Sequence, residues 1–219
     1  MTFDRNHRKL DIRLDINLDE KIKKAAETIG AGGLVVYPTE TVYGLGADAL
    51  NRDAVLKVFA AKSRALDNPL SVAVKDLKQA DTIAYVNDAA RKLAEAFLPG
   101  PLTIVLKKRS ILPKELTSGL DNVGIRIPDN PVALRLIELA GPITATSANI
   151  SGQPSPTTAE EAKRQIGEHV DLILDGGECK IGEESTVVDV SEEGEEFKIL
   201  REGTIVSQAI EAVLKLKPN

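Results

Sequence analysis

Four short segments concentrate side chains that can hold a small anionic ligand. The first is Tyr37-Pro38-Thr39-Glu40-Thr41-Val42-Tyr43-Gly44-Leu45-Gly46, where two threonines and a glutamate directly follow an apolar run. Hydroxyls and a carboxylate in that place can bond a small polar molecule, although a strand followed by a glycine turn uses the same letters. The second is Lys62-Ser63-Arg64, with Asn68-Pro69 soon after. Two cations spaced by one residue suit a polyphosphate, lysine as a point charge and arginine as a fork; cations at a helix C-terminus also complement its dipole. The third, Thr146-Ser147-Ala148-Asn149, supplies hydroxyls and an amide straight after an apolar strand, and leads into a turn-rich stretch, Ile150 to Pro156, so turn chemistry accounts for it equally. The fourth group is Arg126, Ser185 and Arg201. Arg126 lies inside Val123-Gly124-Ile125-Arg126-Ile127, where an unpaired charge is costly, so it must meet an anion: a carboxylate of the chain or a ligand.

Other chemistries find little support. No glycine-rich loop ends in Gly-Lys-Ser/Thr, and Gly44-Leu45-Gly46 lacks the third glycine of a dinucleotide fingerprint. With only His7 and His169, histidine catalysis and a histidine-rich metal site are disfavoured. Cys179 sits in an acidic, glycine-rich turn without a neighbouring histidine and reads as an inert thiol.

The elements that must position these residues belong to a soluble globular chain. Of 219 residues, 42% are hydrophobic and 28% charged, which excludes a disordered, collagen-like or coiled-coil protein. No apolar run approaches the roughly 18 residues that span a bilayer. The charged stretch Met1 to Asp15 has no signal-peptide core, and a single cysteine forbids an internal disulfide, so a cytoplasmic setting is expected. A net charge of -5 argues against a non-specific nucleic-acid binder. Four phenylalanines, three tyrosines and no tryptophan leave few stacking platforms for single-stranded RNA. Any anion site must therefore be a local gathering of cations.

Apolar stretches alternate between two periods. Ile22, Ala25, Ala26 and Ile29 fall at helical spacing and Gly30, Gly32 and Gly33 stop them. Further helices are expected over Asp53 to Ala61 and Asp88 to Leu98, from Pro131 with Asn130 as cap and Gly141-Pro142 as stop, after the Thr158/Glu161 capping box to near Gly167, and after Ser207 as cap. Strands are expected at Leu34–Tyr37, Ser71–Val74, Leu102–Leu106, Val123–Ile127, Ile143–Thr146, Leu172–Leu174, Thr186–Val190 and Phe197–Leu200, with Glu192 to Glu196 a solvated acidic turn. Interleaved strands and helices predict an α/β fold, a twisted open mixed sheet with helices packed around it, in one domain over 1–219.

Taken together, the segments resemble the YrdC-like family, the L-threonylcarbamoyladenylate synthases. Tyr-Pro-Thr-Glu-Thr-Val-Tyr-Gly-Leu, Lys-x-Arg, Asp-Asn-Pro-Leu, Pro-Gly-Pro-Leu-Thr, Ser-Ala-Asn-x-Ser-Gly and Ser-Thr-Val-Val-Asp occur in the family's order, from about Leu34 to Arg201. The resemblance implies a deep basic cavity and condensation of L-threonine, bicarbonate and ATP into threonylcarbamoyl-AMP and pyrophosphate. The product would feed threonylcarbamoyladenosine modification of tRNA, through a tRNA-threonylcarbamoyl transferase complex downstream. By the same resemblance Lys62 and Arg64 are the expected catalytic cations. Lys62, Arg64, Asn68, Asn122, Ser147, Asn149, Thr157 and Arg201 match the ATP pattern, and Thr41, Arg126, Ser147 and Ser185 the threonine and carbamate positions. Mg²⁺ is expected to arrive with ATP, with no metal site built by the chain. Ala73 stands where many members carry histidine, and Asn122 where a threonine is common. Longer members carry a second domain after a linker; a chain ending at Asn219 resembles the single-domain form. Two alternatives remain beside this reading: a double-stranded RNA-binding module, since the family cavity is basic, and another carbamoyl transfer, since a related domain occurs in hydrogenase-maturation carbamoyltransferases.

Overall fold

A computed structural model describes residues 16–192 and 197–215, so the charged N-terminal stretch and most of the acidic 192–196 turn lie outside the described residues. The chain runs α1 (Ile16–Gly30), β1 (Val35–Tyr37), β2 (Gly44–Gly46), α2 (Arg52–Ala61), β3 (Ser71–Ala73), α3 (Leu77–Asp81), α4 (Asp88–Phe97), β4 (Leu102–Lys107), β5 (Asn122–Arg126), α5 (Pro131–Ala140), β6 (Ile143–Ser147), α6 (Ala159–Ile166), β7 (Leu172–Ile173), β8 (Thr186–Asp189), β9 (Lys198–Arg201) and α7 (Ser207–Lys215). The sheet has nine strands in the order β7-β1-β2-β6-β3-β5-β4-β8-β9. It is mixed: β1–β7, β3–β5 and β4–β8 are parallel and the remaining pairs antiparallel.

Helix punctuation behaves as its chemistry dictates. Asn130 Oδ1 accepts from the Val132 and Ala133 N–H groups, and Pro131 follows at the first helical position. Thr158 and Glu161 form the reciprocal capping box of α6. Ser207 departs from expectation. It is the first residue inside α7, and its hydroxyl donates to the Glu202 carboxylate at 2.9 Å. The strand β2 is also unexpected, glycines being poor strand formers. The Tyr37 ring covers it: a β-carbon on Gly44 would meet that ring at 2.7 Å, so only glycine lets the aromatic lie flat across the strand.

The sheet's two faces are dressed differently, because side chains alternate along each strand. Val36, Leu45, Val72, Ile104, Leu106, Val123, Ile125 and Val188 join a large core with residues of α2, α4, α6 and α7. On the other face Val35, Tyr37, Ala73 and Ile143 pack with Ile22, Ala25 and Ile29 of α1 and Val132, Ala133, Leu136 and Ile137 of α5. Ile22, Ile29, Leu136 and Ile137 have no exposed surface, which contributes about 1.5–3 kcal/mol apiece to holding the helix pair down. No buried residue of β4, β5 or β8 belongs to this smaller core. That half of the face carries Thr103, Gly124, Arg126 and Asp189 instead, and these line a cavity.

The C-terminal end of α2 sets the direction of two cations. Ser63 N–H bonds Ala60 O at 3.0 Å and Arg64 N–H bonds Phe59 O at 2.9 Å, a Schellman closure with Ser63 at φ 49°. The left-handed turn, rather than an extended segment, is what brings Lys62 and Arg64 to one side. A serine side chain is strained in that conformation, so Ser63→Gly is expected to stabilise the protein by about 0.5–1 kcal/mol, raising the melting temperature by roughly 1–4 °C. Thermal denaturation checks this; a lowered midpoint would mean the serine hydroxyl matters more than the strain.

Candidate functional site

The cavity measures about 660 Å³, within the range of small-molecule sites. Its floor is the helix-free sheet face: Ser71 and Ala73 of β3, Thr103 and Val105 of β4, Asn122, Gly124 and Arg126 of β5, Ala145 and Ser147 of β6, Val187 and Asp189 of β8. Of the residues singled out above, Lys62, Arg64, Asn68, Asn122, Arg126, Ser147, Asn149, Ser185 and Arg201 all line it. Segments far apart in sequence thus meet around one void.

Lys62 lies deep in this lining, 1% exposed. Its Nζ donates to Asn149 O at 2.8 Å, to Asn149 Oδ1 at 2.9 Å and to Ser147 O. All three ammonium protons are thereby given to the loop after β6. Ser147 Oγ donates to Asn149 Oδ1 at 2.6 Å, and Asn149 Nδ2 donates to Gln153 O at 2.5 Å, so the loop is tied at both ends. Burial, reinforced by the nearby Arg64 charge, pulls the Lys62 pKa down to about 8. Arg64 reaches Asn68 O and Oδ1 at 2.9 and 2.7 Å and Pro69 O at 2.9 Å through Nε and Nη2. Burial lowers the Arg64 pKa, with Glu184 opposing that shift and Arg201 adding to it.

A second charged cluster sits where β5 meets the loop after β1. Arg126 Nη2 donates to Glu40 Oε1 at 2.9 Å and to Thr41 Oγ1 at 2.5 Å. Glu40, 6% exposed, also accepts the Asp129 N–H at 3.1 Å. The question of what anion Arg126 meets is thus answered within the chain by Glu40. Yet Arg126 Nε is buried without a partner among the described residues. The loop itself is folded around Thr39, whose Oγ1 donates to Val42 O at 2.6 Å and lies 2.9 Å from Thr41 Oγ1.

The third cluster closes the far wall. Arg201 grips Ser185 O through Nε and Nη2 at 3.1 and 2.8 Å, and its Nη1 pairs with Glu184. Ser185 Oγ lies 2.9 Å from Thr103 Oγ1. Thr41 and Thr157 stand apart from the other expected site residues, since neither lines the cavity. Thr41 supports Arg126 from behind, and Thr157 gives its N–H and hydroxyl to Glu161 at 2.7 and 3.2 Å.

Sequence reasoning overlooked Ser71, Thr103, Glu184 and Asp189, all of which line the cavity. The signal for the first two was the alternation of small or polar with apolar residues along β3 and β4. For Glu184, one acid in the run Gly182-Glu183-Glu184-Ser185, there was none. Cys179 is buried, and burial raises its thiol pKa, consistent with an inert role.

A mixed sheet whose uncovered half gathers Lys62, Arg64, Arg126 and Arg201 around one void defines an α/β protein with a cation-lined cavity. The chain belongs to the Sua5/YciO/YrdC family, whose model, described as "Telomere recombination", matches residues 27–203. It is 46% identical, over 89% of its length, to the threonylcarbamoyl-AMP synthase of Pyrococcus abyssi, and spans 57% of that protein. A putative threonylcarbamoyl-AMP synthase of Methanocaldococcus jannaschii is 41% identical, with 88% of this chain and 92% of that one covered. The crystal structure of P. abyssi Sua5 complexed with L-threonine superposes with a TM-score of 0.86 at 46% identity, covering 90% of this chain and 58% of that chain. Among the described residues no helix is long and apolar enough to cross a membrane.

Proposed function

We propose that the protein is an L-threonylcarbamoyladenylate synthase, a nucleotidyltransferase that makes threonylcarbamoyl-AMP and pyrophosphate from L-threonine, bicarbonate and ATP. The observation that carries this reading is the convergence of four cations on one cavity in a chain of this family. The threonine amine adds to carbon dioxide derived from bicarbonate, the carbamate oxygen attacks the α-phosphorus of ATP in line, and pyrophosphate leaves. A carbamate is short-lived in water, so it must form beside the phosphate; holding reactants together supplies about 7–11 kcal/mol. Every reactant is an anion, and the fixed cations offset their repulsion as charge shifts to the leaving group.

In this reading Arg64 and Arg201 meet the polyphosphate, with Asn68, Asn122, Ser147 and Asn149 bonding the nucleotide. Lys62 holds the 147–149 loop in place and adds its positive charge from below. Arg126, which lines the cavity, receives the carboxylate of threonine or the carbamate, braced by Thr41 and Glu40, and Ser185 lies within the same lining. Thr157 acts only by fixing the start of α6. Mg²⁺ would arrive with ATP. The Asp189 carboxylate, which lines the cavity, would help hold it, and the ion would neutralise phosphate charge. The product serves threonylcarbamoyladenosine modification of tRNA in the cytoplasm, handed to a tRNA-threonylcarbamoyl transferase complex.

Incubation with ATP, Mg²⁺, bicarbonate and threonine, followed by mass spectrometry for the mixed anhydride with each component omitted in turn, tests the assignment. Absence of the anhydride from the complete mixture overturns it. Selection for threonine should rest on its hydroxyl. A site built to bond an OH rejects the isostere that lacks it by about 10⁴-fold, whereas one missing methyl costs only about 1–3 kcal/mol. Valine should therefore fail and serine be a weak competitor; equal affinity of valine and threonine in competition binding sinks this part of the proposal.

A further inference from the structure

Glu184 is an acid set among cations. Its Oε1 accepts the Ser155 hydroxyl at 2.7 Å and its Oε2 pairs with Arg201 Nη1. It lines the cavity, and its charge acts on both Lys62 and Arg64. Its backbone is pinned as well. Glu184 O lies 2.3 Å from where a β-carbon on Gly203 would stand, and Arg201 holds the neighbouring Ser185 O twice. The carboxylate thus bridges two walls, the 151–155 loop and β9, across the ground where the cations gather. A carboxylate held by a serine hydroxyl and a guanidinium nitrogen uses the same kinds of donor that a phosphate group would use.

We infer that Glu184 is a built-in substitute for a phosphate, holding the cations together in the free protein and competing with any polyphosphate for Arg201. The inference rests on the reading of this cavity as a polyphosphate site. Entry of a triphosphate requires Arg201 to exchange one anion for another, which weakens ATP binding. After reaction the same carboxylate competes with pyrophosphate and speeds its release. Glu184 is a positioning residue: it makes no bond to the reacting atoms and acts through Arg201.

Titration calorimetry with inorganic tripolyphosphate and with ATP, each with and without Mg²⁺, on wild type, Glu184→Gln and Glu184→Asp decides the matter. Removing one negative charge from the cluster should tighten both ligands by about tenfold, with or without the ion. Glu184→Asp should bind as wild type does. In turnover, Glu184→Gln should lower KM and make pyrophosphate a stronger inhibitor, a split that loss of a structural brace would not produce. Unchanged or weaker binding overturns the proposal. So does a weakening confined to Mg²⁺-containing samples, which would make Glu184 a metal ligand. If Glu184→Gln fails to fold, Ser155→Ala decides instead: loosening the carboxylate should tighten tripolyphosphate by about threefold, and no change overturns the idea. Tightened tripolyphosphate binding with no ATP binding by any variant would uphold this inference and remove the nucleotide reading. No binding of either ligand by any variant removes both.

Discussion

Lys62→Ala is expected to lose about 30- to 1000-fold in threonylcarbamoyl-AMP formation, equivalent to about 2–4 kcal/mol of transition-state stabilisation. The loss has two sources. A buried positive charge disappears from beneath an anionic site. The Ser147 and Asn149 carbonyls and Asn149 Oδ1 also lose their shared donor, each a buried acceptor whose abandonment costs about 1–3 kcal/mol unless water enters. Both kcat and KM should worsen, because the loop that carries the Ser147 hydroxyl relaxes. Wild-type-like ATP–pyrophosphate exchange in the presence of threonine and bicarbonate would remove Lys62 from the machinery.

The same lysine sets a pH dependence. With its pKa drawn down to about 8 by burial, activity should fall as pH rises through 8 and the ammonium is lost. Stability moves the other way. Between about 8 and the ordinary lysine value of 10.5 the unfolded chain keeps a proton that the folded one has released. Stability from this group therefore rises with pH across that window. A pH–rate profile that declines above 8, while the Lys62 contribution to the melting temperature does not, separates loss of charge from loss of fold. Bound polyphosphate should shift the decline to higher pH, since it favours the charged form.

Arg126→Met carries the second large effect. It leaves the Glu40 carboxylate buried with the Asp129 N–H as its remaining donor among the described residues. Removing one partner of a buried ion pair costs about 3–5 kcal/mol, or roughly 6–20 °C in melting temperature for a domain of this size. Threonine-dependent activity should vanish with it. The double substitution Glu40→Gln with Arg126→Met should recover much of the stability, because no charge is then stranded, and none of the activity. A single variant that melts like wild type would show that the pair adds nothing to the fold.

Local chemistry made much of this architecture readable. Asn130-Pro131, Gly141-Pro142 and the Thr158/Glu161 box are punctuation written in adjacent residues, and the helices they bound were expected in place. What escaped depends on contacts made across the sheet. Gly44-Leu45-Gly46 is a strand through its ladders to β1 and β6, with Tyr37 lying over it. Asn122-Val123-Gly124-Ile125-Arg126 alternates polar or small with apolar residues, the mark of a strand with one dry and one wet face, and Asn122 and Arg126, both expected at the site, lie on its wet face. The cations were legible as residues, but not the burial of Lys62, which depends on a loop 85 residues further along the chain. Glu184 could not be told from its acidic neighbours until Arg201 and Ser155 were seen on either side of it.

The outermost strand has a bearing on how the protein comes into being. Arg201 is the final residue of β9, the last strand among the described residues, and its hold on Ser185 completes the far wall. As the polypeptide leaves the ribosome, Lys62, Arg126 and Asn149 emerge long before that closing contact. A nascent chain should therefore remain inert toward nucleotide until translation has passed Arg201, and competence should arrive in a single late step.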